Sequence, residues 1–176
     1  MSRELSGFGD NINIGRFVLH CLGGAIMEED LSPDRIRKLA KSLDDAIERK
    51  NIEKLVSYFS DDCEIELLGI TLSGKERLKK AIAWMYRYLS EIILTPATIM
   101  VDKHEFFEEF IVKAKTRKGK EIQTKQAEVL VYDKEYKVKS IRLYFDRLEL
   151  AAAYVSNPIE KFMVNQVTKA SLKGLL

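Results

Sequence analysis

An α+β fold, in which N-terminal helices pack on one face of a curved antiparallel sheet, is predicted by the order of periodic segments in this 176-residue chain. Apolar residues recur at helical spacing in the first half and alternate with polar residues, as in strands, from Thr98 onward. A hydrophobic content of 46% is enough for one domain with a substantial core. We expect that domain at residues 31–156, with an N-terminal extension at 1–30 and a C-terminal helical extension at 157–176.

The first helix has the clearest start signal. Ser32 can cap a helix, Pro33 is preorganised for the first helical position, and Asp34 suits the positive end of the helix dipole. The stripe that follows, through about Lys50, consists of Ile36, Leu39, Ala40, Leu43, Ala46 and Ile47. Asn51 then begins a shorter helix.

A strand and a third helix are predicted next. Residues 63–68 form the strand and residues 69–72 a bend. The spacing from Ser73 to Glu76 is that of a capping box, which predicts the start of the third helix there. Pro96 ends this region.

The second half of the chain is predicted to form strands joined by tight turns. A hairpin turn is expected at Lys118-Gly119-Lys120, and another turn at 133–136. The predicted strands are Thr98–Lys103, Phe106–Lys115, Ile122–Tyr132 and Val138–Asp146. Two helices, at 148–155 and 159–172, complete the chain.

Composition and charge narrow the classes of partner. The 29 basic and 27 acidic residues give a net charge of +2, so we expect no nucleic-acid binding. Cys21 and Cys63 lie far apart without a CxxC pattern, and His20 and His104 are equally isolated, so we expect no disulfide, no metal site and a cytoplasmic location. The apolar run at 17–27 is too short to span a membrane and has acidic flanks, which disfavours both a membrane anchor and secretion.

Several local motifs together resemble the nuclear transport factor 2-like superfamily, which includes ketosteroid isomerases, SnoaL-type polyketide cyclases and limonene epoxide hydrolases. Residues 46–66 are similar to the family's helix, short helix, F-x-D-D motif (Phe59 to Asp62) and first strand. Gly74-Lys75-Glu76 resembles the family's G-[RK]-E helix start, and Tyr144-Phe145-Asp146 resembles its closing Y-[FW]-D strand. The resemblance covers residues 33–150 and implies a cone-shaped domain with an apolar pocket, commonly dimeric.

The resemblance carries over little of the family's catalytic machinery. The position of the isomerase general base is occupied by Leu67 and that of its oxyanion-hole tyrosine by Leu43, and leucine can perform neither role. The epoxide hydrolase pattern is matched only by the closing Asp146, the position at which SnoaL-type cyclases have an acid/base aspartate. Asp146 is therefore the family-matched candidate for catalysis, with Tyr144 as its assistant and no cofactor.

The candidate site is centred on the closing strand, where Arg142, Tyr144 and Asp146 share one face. The candidate ligand-binding residues are Arg142, Glu128, Trp84 and Tyr58. Strand register decides whether the set containing Glu128 or the alternate set containing Ala127 faces the pocket. The structural alternative for Asp146 is that it caps the following helix.

Two functions remain open at this point. The first is a non-catalytic module that binds a small apolar molecule or forms a homodimer, which the two leucines favour. The second is a cofactor-free cyclase or isomerase-type enzyme that uses Asp146 as its acid/base.

Overall fold

A computed structural model describes residues 31–155 and 157–173 of the chain. The predicted N-terminal extension at 1–30 lies outside the described residues. The elements, in chain order, are α1 (Pro33–Glu48), α2 (Ile52–Ser57), β1 (Phe59–Leu67), β2 (Ile70–Ser73), α3 (Lys75–Tyr88), β3 (Leu89–Asp102), β4 (Glu105–Thr116), β5 (Glu121–Tyr132), β6 (Val138–Phe145), α4 (Arg147–Tyr154) and α5 (Pro158–Leu172). The predicted α+β class is confirmed.

The helices begin close to the predicted positions, but not all of the predicted capping interactions are present. Ser32 and Asn51 are the N-cap residues of α1 and α2, and the Asn51 side chain accepts a hydrogen bond from the Lys54 amide. The Ser32 side chain makes no capping bond. The capping box predicted for α3 is wrong: Gly74 is the N-cap, with φ of 85°, a left-handed conformation that glycine adopts without strain.

Six strands form one open sheet in the order β2-β1-β6-β5-β4-β3. All neighbours are antiparallel except β1 and β6, which pair in parallel, so the expectation of a wholly antiparallel sheet is wrong at that one pair. The bend predicted at 69–72 is the β1–β2 hairpin, turning at Leu68 and Gly69.

β3 begins nine residues before the predicted strand at Thr98. Leu89 and Ile92 are buried, so tertiary packing extends the strand past Pro96. The proline is tolerated because β3 is an edge strand, and a register shift follows it between Pro96 and Thr98.

The core lies between α1 and the face of the sheet turned toward it, which we call the inner face. Ile36, Ala40 and Leu43 of α1 pack in one cluster with inner-face residues such as Phe106 and Leu130. A second apolar cluster, around Phe110, Leu89 and Ile92, lies farther along the sheet.

Contacts at both ends of α1 hold this helix against the rest of the domain. At its start, the Ser32 amide donates to the Tyr136 hydroxyl at 3.0 Å, and the Arg35 guanidinium lies 3.7 Å from the centre of the same ring. Past its end, the Lys50 ammonium donates to the carbonyls of Leu89 and Ser90.

The last turn of α1 makes two further bonds to neighbouring elements. The Tyr86 hydroxyl of α3 donates to the Ile47 carbonyl at 3.0 Å. The Leu94 amide of β3 donates to the Glu48 carboxylate at 2.7 Å. The C-terminal end of α1 is therefore held against α3 and β3.

The C-terminal helices contribute little to this core. α5 has no buried residue, and its exposed apolar side chains are Ile159, Phe162, Met163, Val167 and Leu172. None of the described helices is both long enough and apolar enough to cross a bilayer.

Candidate functional site

Two glutamates interrupt the apolar inner face of the sheet. Glu108 of β4 and Glu128 of β5 are direct cross-strand partners and are 2% and 5% exposed. The neighbouring cross-strand pair on one side is Phe106 with Leu130, and on the other side Phe110 pairs with Gln126. The strand register therefore places two acidic groups side by side within the core, a position that glutamate occupies only when paired or neutralised.

Asp44 of α1 completes a cluster of three acidic groups. One carboxylate oxygen from each of Asp44, Glu108 and Glu128 lies within 4.8 Å of the others, and we call this set the carboxylate cluster. Among the residues that the structure describes, none of the three forms an ion pair or a side-chain hydrogen bond. Asp44 is half-buried, so the cluster reaches toward solvent from the helix side.

A buried tyrosine shares the inner face of β5 with Glu128. Tyr132 follows Glu128 by four residues on β5, which places both side chains on the inner face. Its side chain is 3% exposed, and its hydroxyl has no hydrogen-bond partner in the described part of the chain. Burial and the charges of Glu128, Asp44 and Glu108 raise the pKa of the phenol, so the hydroxyl stays protonated.

Burial and mutual repulsion raise the pKa values of the three acidic groups toward or above neutral pH. Burial raises the pKa of Glu128 to about 8, with further contributions from Asp44 and Glu108. The pKa of Asp44 is also raised to about 8, by burial first and then by the charges of Glu108, Glu48 and Asp45. Burial raises the pKa of Glu108 to about 7. Near neutral pH the protonated form of these carboxyl groups is therefore populated.

The catalytic candidate Asp146 lies away from this cluster. Its carboxylate accepts hydrogen bonds from the amides of Leu148 at 2.7 Å and Glu149 at 3.2 Å, so it is the N-cap of α4. The capping alternative is therefore confirmed. A catalytic role for Asp146 stays a prediction, and its geometry does not favour it.

Tyr144 and Arg142 lie on the other face of the sheet from Glu128. They pair with Ala127 and Val129, and the alternate residues of β6, Ile141 and Leu143, pack in the core. Because strand side chains alternate, the register left open by the sequence puts the set containing Ala127 on the face of Arg142 and Tyr144, and Glu128 on the opposite face. Tyr144 instead borders a shallow surface depression of about 210 Å³ with Arg147 and the β1–β2 turn.

The two aromatic candidates are peripheral. Trp84 is 51% exposed on α3 and packs edge-on against Tyr88, with ring centroids 5.1 Å apart. Tyr58 ends α2, half-buried at the margin of the core, with the Lys54 ammonium 5.1 Å from its ring centroid. Of the four ligand-binding candidates, only Glu128 lies in the carboxylate cluster.

Asp44, Glu108 and Tyr132 were not among the predicted site residues, although the sequence contains a signal for the two acidic ones. Glu108 stands midway between Phe106 and Phe110, and period-two alternation puts it on their face. Asp44 follows Ala40 by four positions, next to the apolar stripe of α1. An acidic residue in register with an apolar stripe is the informative pattern here.

Comparison with known proteins identifies the architecture. No protein-family model and no curated protein matches the sequence. An NTF2-like protein of unknown function from Burkholderia pseudomallei superposes with a TM-score of 0.63 at 13% identity, covering 69% of this chain and 98% of that one. The chain has the NTF2-like fold.

Other NTF2-like structures agree at similarly low identity. A putative polyketide cyclase from Xanthomonas campestris gives a TM-score of 0.64 at 12% identity, covering 68% of this chain and 96% of that one. A protein with a ketosteroid isomerase-like fold from Catenulispora acidiphila, in complex with trimethylamine, gives 0.60 at 15% identity, with 68% and 97% covered. At such identities the NTF2-like fold is shared, and each protein's activity has to be argued from its own residues.

Proposed function

We propose that this protein binds a small organic molecule at the carboxylate cluster, through a cationic or hydrogen-bond-donating group of that molecule. The observation that supports this most is a set of two buried carboxyl groups and one half-buried carboxyl group, none with a described partner. Burying such groups is costly unless they are paired, and a buried polar group without a partner is a marker of a functional site.

The surroundings of the cluster define the rest of the ligand. Phe106 and Leu130 flank the two glutamates on one side and Phe110 flanks them on the other, while Leu143 of β6 pairs directly with Glu128. A ligand bound here therefore combines a polar or charged group with a small apolar body. The proposed ligand keeps the small apolar body expected from the sequence and adds a polar or charged group.

The proposed role is binding rather than catalysis. The enzyme alternative assigned acid/base work to Asp146, whose carboxylate is engaged by two backbone amides outside the cluster. The expected homodimer also remains a proposal; sedimentation velocity at two protein concentrations tests it directly.

The experiment is a thermal-shift and calorimetric titration with alkylamines of increasing size, each compared with the alcohol of the same shape, in chelator-containing buffer. We expect amines to raise the melting temperature more than alcohols do. Glu128→Gln should abolish that difference. Glu109→Gln is the matched control, because Glu109 is the exposed neighbour of Glu108 on the same strand. Equal responses to amine and alcohol, or equal responses in both variants, would contradict the proposal.

A further inference from the structure

We infer that the carboxylate cluster is a site for a hard divalent cation of the Ca²⁺, Mn²⁺ and Mg²⁺ class, held by one oxygen each from Asp44, Glu108 and Glu128, with the Tyr132 hydroxyl at its border. The inference rests on the cluster being a binding site, as proposed above. It does not require the organic ligand, which would compete for the same oxygens.

The spacing of the three oxygens suits one bound ion. They lie within 4.8 Å of one another. Calcium–oxygen bonds of roughly 2.3–2.6 Å place two oxygens on opposite sides of the ion about 5 Å apart and adjacent oxygens closer. All three donors are carboxylates, which suit calcium, manganese and magnesium rather than the softer metals that favour sulfur or imidazole.

The three ligands are supplied by separate, firmly placed elements. Glu108 and Glu128 are held in register by the β4–β5 ladder. Asp44 approaches from α1, which is fastened at both ends. A site made by two strands and a helix keeps its shape without the ion, so binding requires little reorganisation of the backbone.

The Tyr132 hydroxyl is the second, independent indication of a ligand. It is buried on the same strand face as Glu128, within reach of the charges of all three carboxyl groups, and has no partner among the described residues. A buried hydroxyl without a partner costs free energy, and a cation or its bound water supplies the missing contact. The ion would also neutralise two of the three charges when the carboxyl groups are ionised.

The test uses the metal alone on the full chain. Protein dialysed against chelator and then freed of it is titrated with Mn²⁺, with free Mn²⁺ followed by electron paramagnetic resonance. We expect one Mn²⁺ per chain, displaced by Ca²⁺. The melting temperature should rise by roughly 5 °C or more at a hundredfold excess over Kd.

Matched variants locate the ion. Glu128→Gln and Asp44→Asn should each weaken Mn²⁺ binding by at least about tenfold. Glu109→Gln, at the exposed neighbour of Glu108, should leave it unchanged. Circular dichroism verifies folding of each variant, and two cluster variants on different elements keep the test informative if one misfolds.

The outcomes separate this inference from the proposed function. Saturable Mn²⁺ binding that is lost in the cluster variants supports the inference even where amines fail to bind. No saturable binding, or binding that is equal in the cluster and control variants, overturns it. Amine binding in chelator would then still stand by itself.

Discussion

The stability of the metal-free protein should fall as pH rises, and Glu128 should account for a large part of the fall. The folded state raises the pKa of this carboxyl from its ordinary value of 4.5 to about 8. Between these values the folded chain keeps a proton that the unfolded chain releases, so the stabilising effect is complete below pH 4.5 and lost as pH rises through 8. The full span corresponds to roughly 5 kcal/mol, or about 1.4 kcal/mol per pH unit for one proton.

Glu128→Gln removes the titrating group and keeps the side chain's shape. The free energy of unfolding of the variant should therefore depend less steeply on pH, by the contribution of about one proton. At pH 8 the variant should be more stable than the wild type by roughly 2 kcal/mol or more, even after the cost of leaving the amide short of hydrogen bonds. Near pH 4.5 that advantage should vanish.

Urea unfolding followed by circular dichroism, at half-unit steps from pH 5 to 8.5 in chelator, measures the slope. Glu109→Gln is the control and should follow the wild type. Parallel curves for Glu128→Gln and the wild type would refute the reasoning, because they would mean that Glu128 is ionised in the folded state without penalty.

Three further predictions concern other described residues. Tyr132→Phe removes a buried hydroxyl without a partner, so the metal-free variant should be as stable as the wild type or more stable by about 1 kcal/mol in urea unfolding. Asp146→Ala should cost about 1 kcal/mol and speed hydrogen exchange of the Leu148 and Glu149 amides, with the Mn²⁺ titration unchanged; altered Mn²⁺ binding would link Asp146 to the cluster. The Cys63 thiol is 0% exposed, and burial raises its pKa. In a Cys21→Ser background, a thiol reagent should therefore label Cys63 only after denaturant is added. Fast labelling of the native protein would contradict the placement of Cys63.

The sequence predicted the fold well because the periodic signals were local. The stripe of α1 and the alternation along β4, β5 and β6 each depend on residues a few positions apart. The start of β3 at Leu89 was missed because its burial depends on contacts with β4, which sequence spacing does not reveal.

The site was predicted less well, for a physical reason. Asp44 meets Glu108 and Glu128 only when α1 crosses the sheet at one particular point, and no local pattern encodes that crossing. Asp146 was the catalytic candidate because it matched a family motif, although its side chain caps the start of α4. Glu128 was a ligand-binding candidate with two strand registers left open, because sequence alone does not fix the pairing that puts it beside Glu108.

The fastening of α1 at both ends has a consequence for selectivity. With Arg35 held on Tyr136 at one end and Lys50 on the Leu89 carbonyl at the other, the helix cannot move away from the sheet without breaking contacts at one end. The distance between Asp44 and the two glutamates is then fixed by the fold and does not adjust to the ligand. A site of fixed width selects ligands by their radius. Affinities across a series of ions or amines should therefore be highest at one size and lower for smaller and larger members.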